Sequence, residues 1–479
     1  MKKKYFSLFL LSFLAIGLIA CEGSDTKTTT TQTQRDLTNP LNLRHPDVIR
    51  GNIYIMVASS DEFDPRKPTF TGTRADERIQ LLHLIEEGFN VNVIYEDFPV
   101  SLPWGSRRSE GIRGNISLGT PLADAYFISS EWLPQLSDYL QPVNALMDAR
   151  NKVQPYTPSF ISLGRQSFNR NLFGITSSYS FANNGIYFNE TAINFLGLPN
   201  PVDIFLVGNW TNSAFREWTE KANRAISENA DYYSAVFTGW THIWLEGLIG
   251  SHGGYIVSEN YKMGFLSPAA MSAMELLRFM SASYDDTTIT DQGSANWRNG
   301  RALMSSMDLI SFILSFTGRF NRLNFDVGFV PFPVADNMHS IDDFRPLVST
   351  PESFFVIGDR NNKGGVSQEI IYNVLFSIAH GLEDTLTPEQ SFQRIVERYF
   401  SDERYIEAYL AMNRSGQGFF DRWTTLQMGF ADWNNTDGFI QASQELAGIR
   451  SGNEREIAEI AQAMSLLGNN VLDMLLGQR

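Results

Sequence analysis

The chain has 479 residues, 43% of them hydrophobic and 13% aromatic, enough to build more than one sizeable core. Its 38 Lys and Arg stand against 53 Asp and Glu, a net charge of −15. That balance argues against nucleic acid, whose phosphates need basic partners, and against docking on anionic lipid by charge alone. With a single cysteine no disulfide can form within the chain, so stability must come from packing.

Lys2, Lys3 and Lys4 precede an apolar run from Tyr5 to Ile19, and Leu18-Ile19-Ala20 leads into the only cysteine, Cys21. The run is short for a permanent span, and with its basic start it reads as an export signal. The residues up to Cys21 resemble a bacterial lipobox. That resemblance implies cleavage after residue 20, lipidation of Cys21 and an extracytoplasmic body held to the membrane by lipid. Residues 21–47, with Thr28 to Thr31 followed by Gln32, Thr33 and Gln34, have little to bury and read as a disordered tether. A flexible tether of ~25 residues spans on the order of 25–30 Å.

Ile53 to Val57 reads as a buried strand, Arg78 to Gly88 as an amphipathic helix closed by its glycine, and Asn90 to Tyr95 as a second strand. Strand, helix and strand at this spacing predict parallel crossover units, and Ala123 to Ile128 predicts a further buried strand. Toward the C-terminus, Asn212–Ser227, Pro268–Ser283, Glu369–His380, Pro388–Phe400 and Glu454–Leu467 show helical spacing. The pattern is mixed α/β. GxSxG, HExxH, a P-loop and a strand-linked GxGxxG are all absent, and the six histidines show no metal-like pairing. Neither a cofactor nor a metal is expected, and no catalytic residue is assigned.

Several motifs recur in one order. Phe173-Gly174-Ile175-Thr176 precedes Gly185-Ile186-Tyr187-Phe188-Asn189 and Phe195-Leu196-Gly197-Leu198-Pro199. Trp218, His252-Gly253-Gly254, Trp297 to Met304, Val327 to Pro333 and Ser353 to Ile357 follow. Together they resemble extracellular solute-binding protein family 1, the substrate receptors of ABC importers for sugars and related solutes. The chain departs from that pattern at Trp210 to Phe215 and in a long region beyond His380. The resemblance implies an α/β, two-lobe periplasmic-binding-protein-like (type II) fold with crossover hinge strands. Lobe I would take residues 48–178 plus 302–350, and lobe II residues 179–301 plus 351–479. It also implies a monomer that closes on a mono- or oligosaccharide and hands it to ABC permease subunits without covalent chemistry. A surface glycoside hydrolase and a carbohydrate-binding adhesin are the alternatives.

Ligands of open α/β sheets bind beyond the carboxyl ends of the strands. That rule points to Ser59 and Asp61, to Ser129 and to Asp308, with Tyr179 and Glu352 beside the expected crossings. Sugars offer apolar faces and hydroxyl rims, which aromatic rings and polar groups match. Trp240, His242, Trp244 and Trp423 complete the expected site, while Trp297 reads as core.

Overall fold

A computed structural model describes residues 51–72, 74–144, 146, 167–168, 171–176, 182, 184–258, 260–284, 295–309, 323–338, 347–348, 353–359, 363–382, 388–413, 419–420, 438–450 and 455–475. In chain order its main elements begin with β1 (Gly51–Val57), α1 (Ala75–Phe89), β2 (Val91–Asp97), α2 (Ser106–Ser117) and β3 (Ala125–Ser129). Next come β4 (Asn184–Asn189), α3 (Asn212–Glu228), β5 (Ala235–Gly239), α4 (Thr241–Ser251) and α5 (Pro268–Met280). Then follow β6 (Ala302–Asp308), β7 (Val327–Val330), β8 (Ser353–Ile357) and α6 (Gln368–His380). The last are α7 (Pro388–Tyr399), α8 (Glu403–Met412), α9 (Phe439–Leu446) and α10 (Ile457–Leu475).

The chain divides into two compact units and passes between them after residues 179, 350 and 391. The N-unit, which takes the described residues from 51 to 176 and those within 351–391, has a sheet ordered β8-β3-β1-β2. Its first three strands are parallel, with Gly51 opposite Val91 and Ile55 opposite Ala125, as right-handed crossovers through helices require. β8 returns antiparallel, Ser353 against Ser129 and Ile357 against Ala125. One face of the sheet buries Ile53, Ile55, Val57, Val91 and Val93 against Leu81, Leu82, Ile85 and Phe89 of α1 and Ile371 and Leu375 of α6. Each such aliphatic side chain contributes about 1.5–3 kcal/mol when fully buried. Asp76 and Glu77 stand at the positive end of α1, and Asn90, at φ 51, ends it. The helix therefore runs through Gly88, and in place of the expected glycine cap it ends on an asparagine two residues later.

The C-unit takes the described residues within 180–350 and 392–479, with a sheet ordered β5-β6-β4-β7. β5 and β6 are parallel, while β4 is antiparallel to both β6 and β7. Trp218, Phe215, Phe237, Trp244 and Phe332 fill its interior, and Trp297 is buried with its ring edge against Phe325.

Two expected boundaries are corrected by the pairing. Residues 302–350 do not join the N-terminal strands, because β6 hydrogen-bonds between β5 and β4 and β7 pairs with β4. Residues 351–391 belong with the N-unit, because β8 pairs with β3 and α6 packs on α1.

Candidate ligand-binding site

In the N-unit the parallel strands deliver three loops to one edge of the sheet. After β1, Ser59 leads into a single helical turn at Ser60–Phe63, whose Ser60 amide donates to Asp97 Oδ1 at 2.5 Å. Asp61 accepts from Thr69 Oγ1 at 2.8 Å and from Lys67 Nζ at 3.1 Å, and its carbonyl accepts the Thr71 amide. The Thr69 hydroxyl, then Lys67, hold its carboxyl below the usual carboxylate range. Asp61 thus organises the loop it belongs to, with its side chain still half-exposed.

Ser129 ends β3, is buried, and faces Ser353 across the ladder. Two residues on, Glu131 Oε1 accepts the indole N–H of fully buried Trp132 at 3.0 Å, and the Trp132 ring meets Trp104 at 4.3 Å. Burial pushes the Glu131 carboxyl up to about 7, against the opposing pull of the indole hydrogen bond. Glu131 was not among the expected site residues. Its signal was there to read: an acid just past a buried strand, beside a tryptophan.

In the C-unit the corresponding edge holds the carboxyl ends of β5, β6 and β7 and the start of β4. Gly239 pairs with Ser306 and Asp308 with Asn184. Gly239, at φ 100, permits the close approach there, since an added Cβ would lie 2.6 Å from the Ser306 carbonyl. Trp240 follows as the N-cap of α4, its carbonyl accepting Ser306 Oγ at 3.1 Å and its ring 5.5 Å from that of His242. Burial drives the His242 imidazole down to about 4, so it is neutral at physiological pH. Asn184 Nδ2 donates to Glu246 Oε1 at 3.2 Å, and Glu246 is a buried acid, the one carboxylate on α4. Burial, the Tyr409 hydroxyl and the charge of Asp308 hold the Tyr187 phenol well above its ordinary value. Tyr187 and Tyr409 share a short hydroxyl hydrogen bond.

The structure therefore brings Trp240, His242 and Asp308 to one edge, joined by Asn184 and Glu246, and brings Ser59, Asp61 and Ser129 to the matching edge of the other sheet. Trp244 is elsewhere. It is fully buried, its Nε1 donates to the Thr238 carbonyl at 2.8 Å, and Phe237 and Phe332 pack against its ring. Cys21, Tyr179, Glu352 and Trp423 lie outside the described residues. Among the described residues no group of His, Cys, Asp and Glu could hold a metal ion.

Open α/β units with polar and aromatic groups gathered beyond their strand ends define a class of binding scaffold rather than a particular chemistry. The chain matches no protein-family model and no curated protein. Its fold is matched by solved structures. The cyclic α-maltosyl-1,6-maltose binding protein of Arthrobacter globiformis is similar at 14% identity and a TM-score of 0.58, over 88% of this chain and 99% of that one. UgpB of Mycobacterium tuberculosis, in complex with glycerophosphocholine, is similar at 16% identity and a TM-score of 0.56, over 89% and 99%. The galacto-N-biose-/lacto-N-biose I-binding protein of a Bifidobacterium longum ABC transporter is similar at 12% identity and a TM-score of 0.55, over 90% and 98%. The chain has the α/β, two-lobe periplasmic-binding-protein-like fold.

Proposed function

We propose that the protein is a solute receptor that captures a mono- or oligosaccharide outside the cytoplasm and delivers it to an ABC importer. The observation that carries this reading is the edge of the C-unit sheet. There a half-buried indole, Trp240, stands with neutral His242, Asp308 and the Asn184–Glu246 pair. A ring platform beside acceptors and an amide suits a sugar's apolar face and hydroxyl rim. One solved structure of similar fold is that of a cyclic α-maltosyl-1,6-maltose binding protein, and another, from an ABC transporter, is in complex with lacto-N-biose.

The mechanism is a population shift. A solute bound more tightly by the closed arrangement of the two units favours that arrangement, which the permease then reads. Ser59, Asp61, Ser129 and Glu352 would contribute from the N-unit, and Tyr179 and Trp423 from the remaining expected set, while Trp244, sealed in the core, takes no part. Acylated Cys21 would hold the body to the outer face of the membrane, and the receptor acts as a monomer.

Calorimetric titration against mono-, di- and oligosaccharides tests the reading. One sugar class should bind saturably and be recovered unaltered, and Trp240→Ala should weaken it at least ~10-fold, as loss of a central aromatic contact does. Absence of binding across the panel, or turnover of a bound sugar, overturns it.

A further inference from the structure

The start of α2 in the N-unit lacks the groups that usually complete a helix. Gly105 is its N-cap at φ 107, no side chain accepts from its first amides, and no acid stands in its first turn. Arg107 and Arg108 stand there instead, two cations at the positive end of the helix dipole.

Arg107 is exposed, but Arg108 is only 7% exposed. Its Nε donates to the Leu102 carbonyl at 3.1 Å, and its guanidinium carbon lies 4.3 Å from the Phe98 ring centre and 5.3 Å from that of Trp104. The side chain therefore turns back toward the helix start, the direction helical side chains favour. Nη1 is buried there with no hydrogen-bond partner, and no carboxylate pairs with Arg108 among the described residues. Stacking on two rings offsets only part of the cost of stripping water from a guanidinium. Burial, with no opposing charge to counter it, pulls Arg108 down to about 10.

We propose that the N-terminus of α2 and the Arg108 guanidinium together form a binding site for an oxyanion of phosphate type. The amides of Ser106 and Arg107, which precede the first bonds that the Arg108 and Ser109 amides make to the Gly105 carbonyl, and the forked N–H groups of arginine present donors suited to such an anion. The anion enters by displacing the 99–105 connection, whose Val100 is 99% exposed. It supplies the negative charge that the surroundings of Arg108 lack. The site does not depend on the sugar-receptor reading, since neither Trp240 nor Asp308 takes part in it.

The test uses the full chain in phosphate-free chloride buffer, titrated with inorganic phosphate and with glucose 6-phosphate while tryptophan emission is followed. Saturable binding is expected, and Trp104, stacked on the guanidinium, should report it. Arg108→Gln should weaken it at least about 10-fold, and Arg108→Lys by less, because lysine keeps the charge without the fork. Arg107→Gln should change it by no more than about 3-fold, as an exposed charge does. Equal affinity for the two probes assigns the site to the free anion. Tighter binding of glucose 6-phosphate, lost with Arg108, assigns it to the charged end of a solute. Should Arg108→Gln fail to fold by circular dichroism, the wild-type and Arg108→Lys titrations decide alone. Neither probe binding below about 10 mM, or Arg108→Lys binding as wild type does, overturns the proposal. Neutral-sugar affinity measured on the same variants separates failure of this site from failure of the receptor reading.

Discussion

Glu131 is one acid whose surroundings, rather than its chemistry, set its charge. Burial raises it from 4.5 to about 7, so the folded protein keeps a proton that the unfolded chain has already released across that window. A state that binds more protons loses ground as they grow scarce, so this residue lowers stability as pH rises from about 4.5 to 7. His242 and His252 act in the opposite direction. Burial takes both from 6.5 down to about 4, so the unfolded chain binds the extra protons and stability rises with pH between about 4 and 6.5. Glu131→Gln removes the first effect and leaves the second. Urea denaturation from pH 4.5 to 8 should then show a steeper gain for the variant than for wild type, and parallel curves would refute the assignment. At this scale the sequence separates residue types but not their orientations. Trp240 and Trp244 stand one helical turn apart, yet one caps α4 at the sheet edge and the other is sealed in the core. Nothing in the string Trp-Thr-His-Ile-Trp distinguishes them, because burial there is decided by Phe237 of the preceding strand and by Phe332, distant in sequence.

Helices and strands show how local rules combine with distant partners. α3 starts at Thr211, whose side chain accepts the Ala214 amide, while Asp336 accepts both the amide and the hydroxyl of Ser213 at 2.8 Å. Burial pushes Asp336 up, but Ser213, Thr211 and the nearby His252 together hold it below the usual carboxylate range. Thr211→Ala removes one cap and should cost about 1 kcal/mol by denaturant titration. Gly239→Ala should cost more, at least about 2 kcal/mol, because it adds positive-φ strain to a clash with the Ser306 backbone. Equal losses for the two variants would mean that β5 and β6 can separate without consequence. The parallel crossovers around β1, α1 and β2 were legible because adjacent segments with matching periodicities pair in sequence order. The partners of β6 and β8 were not. Both runs entered only as motifs of the resemblance; alternation fixes which side of a strand faces inward, not which neighbour lies alongside, and each of these strands pairs across a long stretch of chain.

For the molecule as a whole, the proposed membrane attachment would rest on one side chain. The chain carries a net charge of −15, so an anionic bilayer repels it on balance. Among the described residues no helix is long and apolar enough to cross a membrane. The sequence offers a single thiol, Cys21, placed between an export-type apolar run and a polar tether. An acyl chain contributes about 0.8 kcal/mol per buried methylene, so one chain binds reversibly and a multiply acylated cysteine holds firmly. The remaining body is expected to fold without that group, because its two cores are built from residues 51 onward and depend on no disulfide. Cys21→Ser should therefore shift the protein from the detergent phase to the aqueous phase in a two-phase extraction while its sugar affinity stays within about 2-fold of wild type. Retention of the variant in the detergent phase would show that another surface meets the lipid. A loss of sugar affinity alongside release would show instead that the N-terminal segment takes part in the binding fold.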